Sequence, residues 1–132
     1  MIKNIIFDMG GVLIEFSPAL FLSRMGFTLD EAQIVENEVS KSIYWKQGDL
    51  GLIDMREEKY LDIMTKNIPD YLKEKTKLYI TNWHDYSYPV KGMKEFIIKL
   101  KENGYKIYLL SNAGHDQKEY FPTYDYEYLL DG

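Results

Sequence analysis

The sequence predicts an α/β protein: a parallel sheet whose first two strands are separated by a long, mostly helical insert. Three observations carry this. Lys3 to Phe7 is a short apolar run that ends abruptly in "DMGG". A second run, "YKIYLL" from Tyr105 to Leu110, ends in "SNAG" and follows an amphipathic helix. The chain between them has helical apolar spacing. A helix feeding a strand, with both strands apolar throughout, is the pattern of a parallel sheet buried on both faces.

Taken in order, Lys3–Phe7 reads as a strand and "DMGG" as the turn that stops it. "SPALFLSRMG" predicts a short helix with Ser17 as N-cap, Pro18 at the first helical position and Gly26 at its end. "TLDEAQIVENEVSKSIYWKQG" predicts one longer helix, opened by a Thr28/Glu31 capping box and lined by Val35, Val39 and Ile43. "GDLGL" breaks it. "DMREEKYLDIMTKNI" restarts it, with Asp54 and Glu57 in cap spacing and Leu61, Met64 and Ile68 on one face. Pro69 opens a further helix to about Trp83. "GMKEFIIKLKENG" places Met93, Phe96, Ile97 and Leu100 on one face and stops at Gly104. The tyrosine-rich tail predicts a short helix and then irregular chain. The expected domains are a core of 1–16 and 87–132 and a helical insert of 17–86.

Hydrophobic residues make up 45% of the 132, enough for a folded core. The net charge of −5 and the lack of a Lys/Arg cluster argue against a nucleic-acid surface. The chain has no cysteine, which removes disulfides and thiolate chemistry. Asp8 interrupts the N-terminal apolar run too early for a signal peptide. No uncharged apolar run approaches the ~18 residues of a membrane span. A cytoplasmic location is expected.

Asp8 is the residue that most needs explaining. An ionised carboxylate is costly to bury without a partner, yet Asp8 directly follows an apolar strand. In open α/β sheets ligands bind beyond the carboxyl ends of the strands. If the two strands are neighbours, Asp8, Ser111 and Asn112 meet there. His84 and His115 have no matching partners and read as surface or boundary residues. Trp45 and "KQGDLG" read either as a pocket lining or as packing between helices, with packing at least as good an account. Tyr120, Tyr124, Tyr126 and Tyr128 read as a packed or partly exposed tail.

"IIFDMGGVL" and "GYKIYLLSNA" resemble the first and second motifs of the haloacid dehalogenase (HAD) superfamily. "YPVKGMKEFIIKLKENG" looks like the segment leading into its second motif, and 17–86 is similar to its helical cap. The resemblance covers essentially the whole chain, and it is strongest to phosphatases whose first motif reads Asp-x-Gly-Gly/Asn-Val. It implies a HAD-like Rossmannoid sheet, incomplete here, with an inserted α-helical cap. It implies a Mg²⁺-dependent phosphatase of small phosphorylated metabolites working through an aspartyl-phosphate. Asp8 takes the nucleophile's place. Asp8 and the Gly10 carbonyl take the places of Mg²⁺ ligands. Ser111, with the N–H groups of Asn112 and Met9, takes the place of the phosphate binders.

The sequence departs from this pattern twice. Gly10 stands where most family phosphatases carry a second aspartate as general acid/base, a group that typically contributes ~10²–10⁴-fold. Further, the family continues past its second motif to a lysine and an acidic pair. Lys118 is too close to Ser111 to be that lysine, and Asp125 and Asp131 do not follow an apolar strand. The chain is therefore expected to hold about half the catalytic set, truncated after the second motif. Two other readings stay open: an inactive fragment or binding module, and a dehalogenase using the same aspartate without metal. A strand edge left bare in such a fragment would favour self-association.

Overall fold

The computed structural model describes residues 1–132. In chain order the elements are β1 (Asn4–Phe7), α1 (Pro18–Arg24), α2 (Leu29–Val35), α3 (Ile43–Asp49), α4 (Glu58–Met64), α5 (Asp70–Asn82), α6 (Met93–Glu102), β2 (Lys106–Leu109) and α7 (Gln117–Tyr120). A π-helical turn at Glu36–Ser40 and 3-10 turns at Trp83–Tyr86, Phe121–Tyr124 and Glu127–Leu129 complete the set. The chain forms two compact units. One comprises residues 1–16, 88–111 and 117–132, the other 17–87 and 112–116.

The first unit holds the sheet. β1 and β2 are parallel, with Asn4 opposite Lys106 and Phe7 opposite Leu109. Bonds from Lys106 N–H to the Lys3 carbonyl and from Leu110 N–H to the Phe7 carbonyl, both 2.9 Å, close the ladder at its two ends. Phe7 and Ile107 are buried, and Phe96 of α6 meets Phe7 edge-on at 6.4 Å. The opposite face is open. Ile6 is 62% exposed and Leu110 71%. Strand side chains alternate, and α6 covers only one of the two sets.

The tail closes the outer edge of β2. Asp131 N–H donates to the Ile107 carbonyl at 2.7 Å, and Leu109 N–H donates to the Gly132 carbonyl at 2.9 Å. The Asp131 carboxylate accepts from Ile107 N–H at 2.8 Å and from Lys101 Nζ at 2.9 Å. Those partners hold it below the usual carboxylate range, Ile107 N–H foremost. Tyr120, Tyr124 and Tyr126 are buried, whereas Tyr128 stays exposed. The chain leaves this unit at Phe16 and returns at Tyr88. Those two points are tied by Glu15 N–H to the Tyr88 carbonyl at 2.8 Å and Tyr88 N–H to Glu15 Oε1 at 2.9 Å.

The second unit is helical. Ser17 caps α1 through Leu20 N–H. Thr28 and Glu31 form the reciprocal capping box on α2. The single long helix expected over 28–48 is broken in two. After the π-helical turn the Ser42 hydroxyl accepts from Trp45 N–H and starts α3 afresh. Val35 and Val39 stay buried, but Ile43 turns outward at 58% exposure. Asp54 and Glu57 do not form a cap pair either. Asp54 is instead taken by Arg56 through its N–H, Nε and Nη2, at 2.9–3.0 Å. The core is aromatic: Trp45 stacks on Tyr79 at 5.3 Å, and Trp83 stacks on Phe21 at 5.6 Å. Trp45 is thus a packing residue, only 3% exposed.

Candidate active site

β1 ends at Phe7, so Asp8 is the first residue beyond the sheet, and its side chain is exposed. Its carboxylate accepts from the next residue, Met9 N–H to Oδ1, at 2.7 Å. The Met9 carbonyl then receives three N–H groups, from Val12 at 3.2 Å, Leu13 at 2.9 Å and Ile14 at 3.1 Å. Gly11 sits at φ +76 inside this turn, a conformation that glycine adopts without steric cost. Gly11 N–H donates to the Ile14 carbonyl at 2.7 Å. Buried Met9, Leu13 and Ile14 anchor the turn from below. Asp8 is therefore presented to solvent on a tight, internally bonded loop.

β2 ends at Leu109, the register partner of Phe7. Ser111 follows two residues on and is half-buried. Asp8 and Ser111 thus stand past the carboxyl ends of adjacent parallel strands. Met9 N–H is committed to Asp8, and a phosphate could use it only if that bond were released. The chain parts at Asn112. It groups with the helical unit, as do residues 113–116. The physical reason is close backbone packing onto residues 48–51. A Cβ on Gly51 would stand 2.9 Å from the Ala113 carbonyl, and His115 Nε2 lies 3.0 Å from the Gly51 carbonyl.

This grouping gathers charges that no sequence spacing suggests. Asp116 carries a side chain only 13% exposed, and its Oδ2 lies 4.0 Å from His84 Nδ1. Burial raises the Asp116 carboxyl above its usual range. Asp49, at the end of α3, is pushed up to about 6, by burial first and then by repulsion from Asp116. Asp54 is held low by its bond to Arg56.

For a divalent cation, the chain offers the Asp8 carboxylate and the Gly10 carbonyl, both hard oxygen donors of the kind magnesium prefers. No group of three or more His, Asp or Glu side chains that could hold a metal occurs. A magnesium ion held by these two donors would need substrate and water to complete its shell.

The sequence pattern of the haloacid dehalogenase-like hydrolases matches residues 2–121. No curated protein matches the chain. Among solved structures, a HAD family enzyme from Bacteroides thetaiotaomicron, crystallised in complex with magnesium and inorganic phosphate, is 24% identical with a TM-score of 0.56. The match covers 90% of this chain and 57% of that one, so this chain spans little more than half that enzyme's length. The likeness is one of fold. The matched span contains Asp8, Gly10, Ser111 and Asn112, and a tight acidic turn beside a parallel neighbour strand is what the structure places there. The chain belongs to the haloacid dehalogenase-like hydrolase family.

Proposed function

We propose that this chain carries the nucleophile half of a Mg²⁺-dependent phosphatase acting on small phosphate esters in the cytoplasm. Residues 17–86 serve as its helical cap, and 1–16 with 87–132 as its core. The observation that carries this reading is the exposed Asp8 carboxylate, fixed by Met9 N–H one residue past β1, with Ser111 at the end of the neighbouring strand. Asp8 attacks phosphorus, the ester oxygen leaves, and water hydrolyses the aspartyl-phosphate. The Ser111 hydroxyl and the Asn112 N–H hold phosphate oxygens. Bound magnesium supplies charge neutralisation between the two anions. Gly10 offers no proton, so the leaving oxygen takes one from water or from the substrate. The magnesium and phosphate held by the Bacteroides enzyme support the ligand classes.

The test is turnover of a generic phosphate ester with and without Mg²⁺. It uses the 132-residue chain and the longer product of any reading frame that continues past Gly132. Activity lost in Asp8→Asn and in chelator is the expected result, because an amide cannot serve as the nucleophile. Activity that survives both sinks the mechanism, and activity that needs Asp8 but no metal points to a dehalogenase. A second reading is a non-catalytic binding module. Magnesium and phosphate binding without turnover, in the longer product too, is its signature.

A further inference from the structure

We propose that residues 113–116 form a proton-dependent clasp on the helical unit, in which Asp116, set between His84 and Asp49, holds the segment down in mild acid and lets it loosen at neutral pH. Every part of this device lies in the unit built from 17–87 and 112–116. It is independent of the reaction proposed for Asp8.

Residues 112–114 form no helix or strand, yet Ala113, Gly114 and Asp116 are partly buried. Two contacts of fixed chemistry dock the segment. The Ala113 carbonyl stands 2.9 Å from where a Cβ on Gly51 would be. His115 Nε2 donates to the Gly51 carbonyl at 3.0 Å, a bond that either charge state of the ring can make. The third contact is electrostatic and titrates. The Asp116 side chain is only 13% exposed, with Oδ2 4.0 Å from His84 Nδ1. Asp49, at the end of α3, repels it when both are ionised, and burial leaves little water to screen that repulsion.

The remaining neighbours do not change charge in this range. Arg56 attracts Asp116 and Asp54 repels it, but the two are bonded to each other, and Asp54, also faced by His115, is held low and stays ionised. The Tyr79 hydroxyl near Asp49 is raised by burial and stays neutral. His84 also faces Asp85, at 3.5 Å. In mild acid Asp49 holds its proton, and a protonated His84 attracts Asp116. Above about pH 6 Asp49 ionises and repels Asp116, and a His84 that has lost its proton no longer attracts it. Both changes have the same sign, so the clasp weakens as pH rises. If loosening returns Asp49 to its ordinary 3.8, the open fraction rises about tenfold between pH 5 and 7.5; partial solvation brings this to about three- to tenfold.

Alanine supplies the probe. The chain has three, Ala19, Ala32 and Ala113, so methyl labelling places one signal in the clasp and one each in α1 and α2. The measurements, on the full 132-residue chain at pH 5 and 7.5, are methyl relaxation dispersion, which reads the open population, and methyl order parameters, which read faster motion. From pH 5 to 7.5 the open population at Ala113 should rise about three- to tenfold or its order parameter should fall, while Ala19 and Ala32 stay unchanged. Asp49→Asn and Asp116→Asn each remove the repulsion, and each should leave Ala113 at pH 7.5 as it is in wild type at pH 5. Asp62→Asn, which removes an exposed acid paired with Lys77 on the same unit, should keep the wild-type response. An Ala113 that behaves alike at both pH values by both measurements, or that loosens in acid instead, overturns the clasp. So does equal loosening at Ala19 and Ala32, or a wild-type pH response in both Asp49→Asn and Asp116→Asn.

Discussion

Asp49→Asn should make the protein more stable at neutral pH, and only there. Asp49 ends α3, where the helix dipole is unfavourable to a negative charge. Burial, followed by the nearby Asp116 carboxylate, raises its pKa from 3.8 to about 6. An acid whose folded pKa is raised binds its proton more tightly in the folded state than in the unfolded one. Between about pH 4 and 6 the folded state therefore holds more protons, and stability falls as pH rises. Above the window the cost is fully present. A shift of about two units at ~1.4 kcal/mol each sets a ceiling of about 3 kcal/mol. Asp49 is partly solvated, and screening reduces this to about 1.5 kcal/mol.

Asparagine keeps the shape and removes the charge. Thermal melts followed by circular dichroism at pH 4, 5, 6 and 7.5 should show a variant Tm about 3–6 °C above wild type at pH 7.5. The gain should shrink to nothing near pH 4. Asp54 and Asp131 act in the opposite sense. Their lowered values give stability present above about pH 3.8 and lost as pH falls through the folded pKa, so they lie below the window. A variant that melts at or below wild type at pH 7.5, or that keeps the same gain at pH 4, would refute the argument.

Two further outcomes are expected. Tyr126→Phe removes the hydroxyl that donates to the Leu13 carbonyl at 2.6 Å. Val90 N–H also bonds that carbonyl, at 2.8 Å, so the loss should be only about 0.5–1.5 kcal/mol; a drop above about 3 kcal/mol in urea unfolding would contradict it. We also propose self-association through β1, which pairs on one side only and carries exposed Ile6 at its centre. Light scattering should find dimers or larger species that Ile6→Lys disperses, and a monodisperse wild-type monomer would exclude this.

What the sequence disclosed about the fold was what neighbouring residues decide. The caps at Ser17 and Thr28 and the helix 93–102 depend on groups within four residues of each other, and the two strands announce themselves as short apolar runs; all are present. The misread stretches are those where two local solutions compete. Ser42 could have stayed inside a helix, but its hydroxyl serves Trp45 N–H better as a new cap, which lets Trp45 reach the Tyr79 ring. Asp54 had a capping partner in Glu57 by spacing, yet Arg56 offers three charge-assisted donors at once. That a sheet of two strands is poorly covered follows from its size; which face stays open does not. Apolar alternation says which side chains can be covered, and what covers them lies elsewhere in the chain.

The candidate site divides along the same line. Asp8 was legible because its position is local: a carboxylate one residue past an apolar strand, with Gly11 free to take φ +76 behind it. Ser111 was legible by the same argument on the second strand. Asp49, His84 and Asp116 were not, since they come from three stretches joined only by packing, and nothing in the spacing of 49, 84 and 116 marks them. The one local hint was glycine. Gly48, Gly51 and Gly114 each leave room where a side chain would meet Met55, the Ala113 carbonyl or Asp116 within 3 Å, so "KQGDLG" and "SNAG" are matching halves of one contact. Read as a break and a turn, each had a sufficient explanation by itself.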